Sequence, residues 1–549
     1  MTKRKISLLL VAVLLFLTVG GLSLWQARRF FSYPRAFALL GIENWQVWEF
    51  HDYFELDPNE LQIVWDNRRL IGLDYAPFIL DGNIFFPAAF LRERGIDPFI
   101  FWDEGAQTLF ISTDTEIMRL YSQDVPLAFV RRSMDTDFIF EHRLEYNVLI
   151  ITDRENPAGR PAVTTRRRAP VRYRPDLTAF ITTQPVAHTD RLTVFGRDGD
   201  FYRVRTEDGL LGYVLADDIQ FLEPPRPIPA EPPAPARAAP INLSWEMITA
   251  PQGNVTAMNN PLPHGLTVIS PTWFNFDPYR LDGHIISFAS HDYVAWAHAS
   301  GVKVWAKIFD STREISHAIL TNHRAREYAI AQLIGFVQEY NLDGINVNFE
   351  HIRGTDGGYY VQFLRELAVE MRRIDSTLSV ATFVPAPWFR HYHHDLVGKT
   401  VDFVAIMTYD EHYSGSTEPG PVASLGFVER SVRDALQLIP REKLIMGLPF
   451  YNRIWRVTAD GHTISNTGMA RPWALIEEWD ALPVWDSEIG SYYVNFTDDY
   501  ATYRIWLECE RSISEKMRIF REHELAGVAS WRRGLESPGV WQQIYGALD

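Results

Sequence analysis

The chain has 549 residues, a formal net charge of −16, 46 % hydrophobic residues and 17 Trp. That length exceeds a single core, so three or four folded domains are expected, and the composition excludes a disordered chain. The acidic balance argues against nucleic-acid binding, and with Cys509 as the single cysteine no intrachain disulfide can form.

In chain order, Lys3, Arg4 and Lys5 precede an uncharged, largely apolar run from Ile6 to Trp25. Twenty such residues are enough to cross a bilayer as one helix. The small residues Gly21 and Ser23 make a poor cleavage site, so residues 1–29 are expected to be an uncleaved transmembrane anchor, with the bulk of the chain outside. Cleavage and secretion is the alternative.

Residues 55–118 read as a small α+β domain, in which Asp103, Glu104 and Gly105 between two apolar runs predict a hairpin. Residues 158–222 read as β-rich, with alternating strands around Asp208-Gly209. Arg166, Arg167 and Arg168 are expected to be a solvated loop. From Pro224 to Pro240 there are eight prolines in seventeen residues. Residues 223–241 are therefore expected to be an extended linker reaching ~50 Å.

Beyond the linker, strand and helix patterns alternate as a (β/α) barrel demands. Strand-like segments are 265–273, 301–309, 378–386, 401–409, 443–451 and 526–531. Between the second and third lies Asp343–Glu350, DGINVNFE, preceded by a helical pattern of Ile330, Leu333, Ile334 and Val337. In that octapeptide Ile345, Val347 and Phe349 face one way and Asn346, Asn348 and Glu350 the other. A polar row ending in a carboxylate at the C-terminal end of a barrel strand sits where such folds do chemistry. About 75 residues separate Tyr451 from the last strand, more than one helix needs, which predicts a β-rich insertion walling the cleft. Trp273, Trp388 and Trp455, near strand ends, are candidates to stack on a ligand. His391, His393 and His394 lack the frame of a metal site and are expected in a solvated loop.

The octapeptide resembles the DxxDxDxE motif of family 18 glycoside hydrolases, the chitinase-like enzymes. Two further motifs fit in order: Met407, Tyr409 and Asp410 match the family's Met-x-Tyr-Asp, and Trp531 matches the tryptophan of the last strand. PTWFNF (271–276), YDEHYSGSTEPGPVASLGFVE (409–429) and GLPFYNRIW (447–455) are similar to the spore-germination and cortex-lytic branch. The resemblance covers residues 242–549. It implies a C-terminal (β/α)8 TIM barrel, so the expected fold class is α/β. Small SH3-like and α+β domains would precede that barrel, because 158–222 resembles a bacterial SH3-type domain and 55–118 a copper amine oxidase N-terminal-like domain.

In this family the nucleophile is the substrate's own 2-acetamido oxygen, not a second carboxylate. The resemblance implies Glu350 as the acid/base and Tyr409 as the partner of the acetamide oxygen. Asp343, Asn346 and Asp410 would support them, and Trp531, Trp273, Met407 and Trp455 would bind substrate. The position that orients the amide proton is occupied by Asn348 where the motif has Asp, and Asn346 replaces a second Asp. Asn348 can accept an N–H but brings no negative charge, and its amide favours ionised Glu350. The Ser-x-Gly-Gly of the family is absent, and the strand before the motif reads VKVWAKIFD (302–310).

The expected function is cell-surface hydrolysis of a β-1,4-linked N-acetylglucosamine-containing glycan, peptidoglycan rather than chitin. The alternative, favoured by Asn348, is a catalytically weak or silent wall-binding protein. No metal or organic cofactor is implied; the expected partners are the glycan and, through the N-terminal helix, a membrane.

Overall fold

The computed structural model describes residues 61–222, apart from short stretches, and 239–548. The expected anchor and most of the Pro-rich linker lie outside the described residues. Among the described residues no helix is long and apolar enough to cross a membrane.

The chain divides into two compact units. Among the described residues the first combines 61–98 with 123–222. It holds a four-stranded sheet in which Gln62–Trp65 runs parallel to Val148–Asp153. It also holds a five-stranded antiparallel sheet built from Arg160–Thr164, Leu192–Asp198, Phe201–Thr206, Leu211–Leu215 and Ile219–Phe221. Alternation works as expected there: Val194, Val204 and Val214 point into a shared core. Arg166, placed in a solvated loop by its neighbours, forms an ion pair with Asp218 at 2.7 Å.

The second unit joins residues 99–122 to 236–549. The expected 55–118 segment is thus not one compact piece. Its hairpin forms as predicted, Ile100–Asp103 against Thr108–Ser112, with Ile117–Leu120 as a third strand. This small sheet packs on the barrel's helices. Asp103 and Arg326 are both fully buried and paired at 2.8 Å, and Phe101 meets Tyr359 edge-on with centroids 4.9 Å apart. A buried guanidinium needs such a partner, and no local pattern in 55–118 reveals one 223 residues away.

Eight parallel strands close the barrel: β1 (Ile241–Glu246), β2 (Val268–Pro271), β3 (Lys303–Phe309), β4 (Gly344–Asn348), β5 (Thr377–Phe383), β6 (Phe403–Met407), β7 (Leu444–Pro449) and β8 (Gly527–Trp531). Consecutive strands pair in parallel, β1 pairs with β8, and Val268 opposite Lys303 and Ile269 opposite Val304 join β2 to β3. Sequence patterning located seven of these strands. It passed over β1, whose INLSWE follows directly on the prolines.

The helix His323–Tyr340 before β4 is capped by the Asn322 side chain and stopped by Asn341, which adopts φ 55°. Its Ile330, Leu333 and Val337 are buried against Ile345 and Val347 of β4. Inside the barrel, Leu243, Trp245, Val268, Trp305, Ala381, Ala405, Ile445 and Ala529 fill the lumen floor. Between β7 and β8 lies the predicted insertion, a five-stranded antiparallel sheet running from Tyr451–Thr458 to Thr502–Leu507, with one helix, Ala470–Glu478.

Candidate active site

At the C-terminal ends of the strands a cavity of about 450 Å³ opens over the lumen floor. That volume suits a sugar-sized ligand. Its lining includes Trp245 from β1, Asn348 and Glu350 from β4, Tyr409 and Asp410 after β6, and Trp531 at the end of β8. Met407 lines it as well, and the insertion contributes Tyr451, Arg453, Asn466 and Thr467. Three sequence motifs and the insertion therefore converge on one space.

Glu350 lies two residues past the end of β4 and is held by its backbone. The Glu350 N–H donates to Asp310 Oδ1 and the His351 N–H to Asp310 Oδ2, each at 2.7 Å. Asp310 is itself fully buried at the end of β3 and accepts the Ser316 hydroxyl at 2.7 Å. Burial raises the Glu350 carboxyl above its usual range; Lys307 and a hydrogen bond from the Asn348 side chain oppose this, and Asp310 adds to it. A carboxyl held protonated to higher pH than usual is what a general acid needs.

Lys307 lies on β3, buried in the lumen, with its ammonium 4.7 Å from the Trp531 ring centroid. Burial pulls it down to about 8, while Glu350 and Asp310 hold it up. A cation thus acts on the Glu350 carboxyl, where the motif has two carboxylates in place of Asn346 and Asn348. Beneath them, Trp245 Nε1–H donates to Asn346 Oδ1 at 3.0 Å and Asn346 Nδ2–H to Ser379 at 2.9 Å. Asn346 therefore supports the floor without reaching the cavity. Asn348 Nδ2–H donates to the Ala381 carbonyl at 3.3 Å, which fixes its amide.

Tyr409 is buried, and burial together with Asp410 and Glu350 raises its phenol well above the ordinary range. It remains an O–H donor at any working pH. Asp410 sits in the left-handed region at φ 62°. Its carboxylate accepts the Tyr451 hydroxyl and pairs with Arg453 at 2.5 Å, both from the first strand of the insertion.

Three expected site residues fall elsewhere. Asp343 precedes β4 at the opposite end of the barrel, where it binds His298 Nε2 at 2.7 Å and the Val304 N–H at 2.8 Å. Its role is to join β3 and β4, not to support the site. Trp273 is fully buried, with Nε1–H donating to Asn254 at 2.8 Å. Trp455 is likewise fully buried and donates to the Gly420 carbonyl at 2.9 Å. Neither can stack on a ligand. Trp388 is 71 % exposed and does not line the cavity. Of the histidines, His394 is buried and bonds the Phe383 carbonyl at 2.9 Å rather than lying in a solvated loop. Among the described residues no cluster suited to a metal ion occurs.

The residues that the sequence reading missed are Lys307, Asp310 and Arg453. The signal for the first two was present: in VKVWAKIFD, Lys307 interrupts the apolar run from Val304 to Phe309 and Asp310 ends it, as Glu350 ends its own.

Residues 273–536 match the family model described as Glycosyl hydrolases family 18. The chain is 28 % identical over 307 residues to the Bacillus subtilis protein named "Uncharacterized glycosylase YvbX", covering 53 % of this chain and 88 % of that one. It is 27 % identical over 237 residues to the cortical fragment-lytic enzyme of Bacillus subtilis, covering 42 % of this chain but only 55 % of that protein. The fold is that of the chitinase from Chromobacterium violaceum (TM-score 0.50, 20 % identity, 56 % of this chain and 99 % of the other). It is equally that of the Bacillus cereus spore cortex-lytic enzyme SleL (TM-score 0.50, 20 % identity, 56 % and 74 %).

Proposed function

We propose that residues 273–536, which match the family 18 glycosyl hydrolase model, cleave a β-1,4-linked N-acetylglucosamine-containing glycan, peptidoglycan rather than chitin, at the outer cell surface. The observation that carries this reading is Glu350. Its backbone is clamped by Asp310, its carboxyl is raised by burial, and it borders a cavity shared with Tyr409 and Trp531. Peptidoglycan is favoured by the relative named as a cortical fragment-lytic enzyme and by the SH3-type resemblance of residues 158–222.

In the first step Glu350 donates its proton to the glycosidic oxygen as the C1–O bond breaks. The carbonyl oxygen of the substrate's 2-acetamido group bonds to C1, giving an oxazolinium-like cation. Tyr409 orients that oxygen by its O–H, and the Asn348 side-chain carbonyl accepts the acetamide N–H. In the second step ionised Glu350 takes a proton from water, whose oxygen bonds to C1 and releases the acetamide oxygen. Configuration at C1 is retained. Trp531, with Trp245 5.9 Å from it, floors the sugar.

Asn348 favours a second reading, a weak or silent glycan-binding protein. It supplies no charge to the cation, and loss of one such partner typically costs ~10²–10³ in rate. The full-length protein incubated with purified peptidoglycan and, in parallel, with chitin separates these readings. New reducing ends from peptidoglycan support hydrolysis, ends from chitin alone move the substrate, and retention without cleavage favours the binding protein. The surface location rests on Ile6–Trp25 as an anchor; recovery of the native protein wholly from the medium with a trimmed N-terminus would contradict it.

A further inference from the structure

Two consecutive arginines follow Trp531, and their surroundings differ. Arg533 is buried and fully engaged: it pairs with Glu246 at 2.5 Å and donates to the Asn260 carbonyl at 2.7 Å. Arg532 lines the cavity and is half-buried, yet among the described residues its guanidinium has neither an ion pair nor a hydrogen bond.

The carboxylates whose attraction it feels are Glu246 and Glu536, and both are committed elsewhere. Glu246 accepts from Tyr293 at 2.7 Å as well as from Arg533. Glu536 accepts the Gly534 N–H at 2.5 Å and Trp541 Nε1–H at 3.1 Å. The other acidic group on the cavity wall besides Glu350, Asp410, is held by Arg453 and Tyr451. The cavity therefore presents one guanidinium whose donors face no protein acceptor, beside the tryptophan that floors the sugar. A half-desolvated cation in that state is costly, and the ligand that satisfies its planar fork best is a carboxylate.

We infer that Arg532 is a specificity-determining residue that binds a carboxylate borne by the glycan next to the cleaved bond. The preferred substrate would then be an acidic amino-sugar polymer rather than a neutral one. This rests on the glycosidase reading above and deepens it. A peptidoglycan strand offers such a group in two places, the lactyl ether of muramic acid and its peptide stem, whereas chitin offers none.

The test uses the full-length protein and oligomers of equal length. One carries alternating N-acetylglucosamine and N-acetylmuramic acid with free lactyl carboxylates, and a second is its methyl ester. In a third the lactyl groups are amidated to a stem peptide. The wild type is expected to show an acid-to-ester ratio of kcat/KM of ~10 or more, shrinking with added salt. In Arg532→Gln the ratio should fall to about one, and Arg532→Lys should keep part of it, because an ammonium retains the charge without the fork.

Arg532-dependent preference for the peptide-bearing oligomer over the methyl ester would assign the stem carboxylate as the ligand. Preference confined to the free lactyl form would assign the sugar's own. A wild type that prefers neither the free acid nor the peptide-bearing oligomer over the methyl ester, or a preference equal in wild type and Arg532→Gln, overturns the inference. If the wild type cleaves none of the oligomers, the glycosidase reading falls. Equilibrium binding of the acid and ester forms by wild type and Arg532→Gln then decides the role of Arg532 by the same ratio.

Discussion

The Asp310 carboxylate accepts the backbone N–H of Glu350 at 2.7 Å, so the acid at the end of β4 is positioned by a buried side chain at the end of β3. With the His351 N–H and the Ser316 hydroxyl on the same carboxylate, the two strand ends are locked together. Asp310→Asn places an amide N–H₂ among these donors and leaves at least one of them unpaired. The expected loss is about 1–3 kcal/mol of stability and, through displacement of Glu350, ~10–100-fold in turnover. Denaturant unfolding and glycan hydrolysis measured side by side check it; wild-type values for both would show that the clamp is dispensable.

Lys307 opposes the raised pKa of Glu350. As a general acid Glu350 must be protonated, so kcat/KM declines as pH rises through its pKa. Removing the cation in Lys307→Met lifts that pKa further, and the alkaline limb of the profile should move to higher pH. Stability carries a second sign. Lys307 titrates at about 8 in the fold against 10.5 when unfolded. Between those values the unfolded chain holds a proton that the folded one has released, so this residue makes stability rise with pH across that window. Lys307→Met should flatten that rise. An unmoved alkaline limb would mean that Lys307 does not act on Glu350.

Asn348→Asp restores the carboxylate of the family motif. It removes a hydrogen bond that lowers the Glu350 pKa and adds a like charge that raises it. It also places negative charge near the oxazolinium-like cation. The rate is expected to rise, by as much as ~10². The cost is local: the amide now donates to the Ala381 carbonyl at 3.3 Å, a bond an ionised Asp cannot make. Turnover of an N-acetylglucosamine oligomer over a pH series measures the gain. A folded Asn348→Asp protein slower than its parent would show that this site has left the family's charge arrangement.

The elements most legible in the sequence were those whose signal is local and periodic. The alternation in DGINVNFE placed Asn346 and Asn348 in the lumen and Glu350 at the cavity, because a strand's two-residue period assigns faces without tertiary information. The insertion followed from a connection too long for one helix. Asp343 was misplaced because motif membership ignores that a strand has two ends some 15 Å apart, at ~3.3 Å per residue. Trp273 and Trp455 were misassigned because an aromatic near a strand end reads the same whether it faces a cavity or a helix. The pairing of Asp103 with Arg326 and that of Asp410 with Arg453 join distant segments, and nothing periodic announces them. Strand β1 escaped because a six-residue segment with internal polar residues, abutting a proline run, carries too short a pattern to stand out.

Hydrolysis at this site requires Glu350 as the proton donor. The most direct measurement is reducing-end release from purified peptidoglycan by the full-length protein and by Glu350→Gln, with glycan binding recorded on both. Gln keeps the volume and hydrogen bonding but has no proton to give. The predicted result is release by the wild type, none by Glu350→Gln, and binding retained by both. Equal release by the two proteins would contradict the assignment of Glu350.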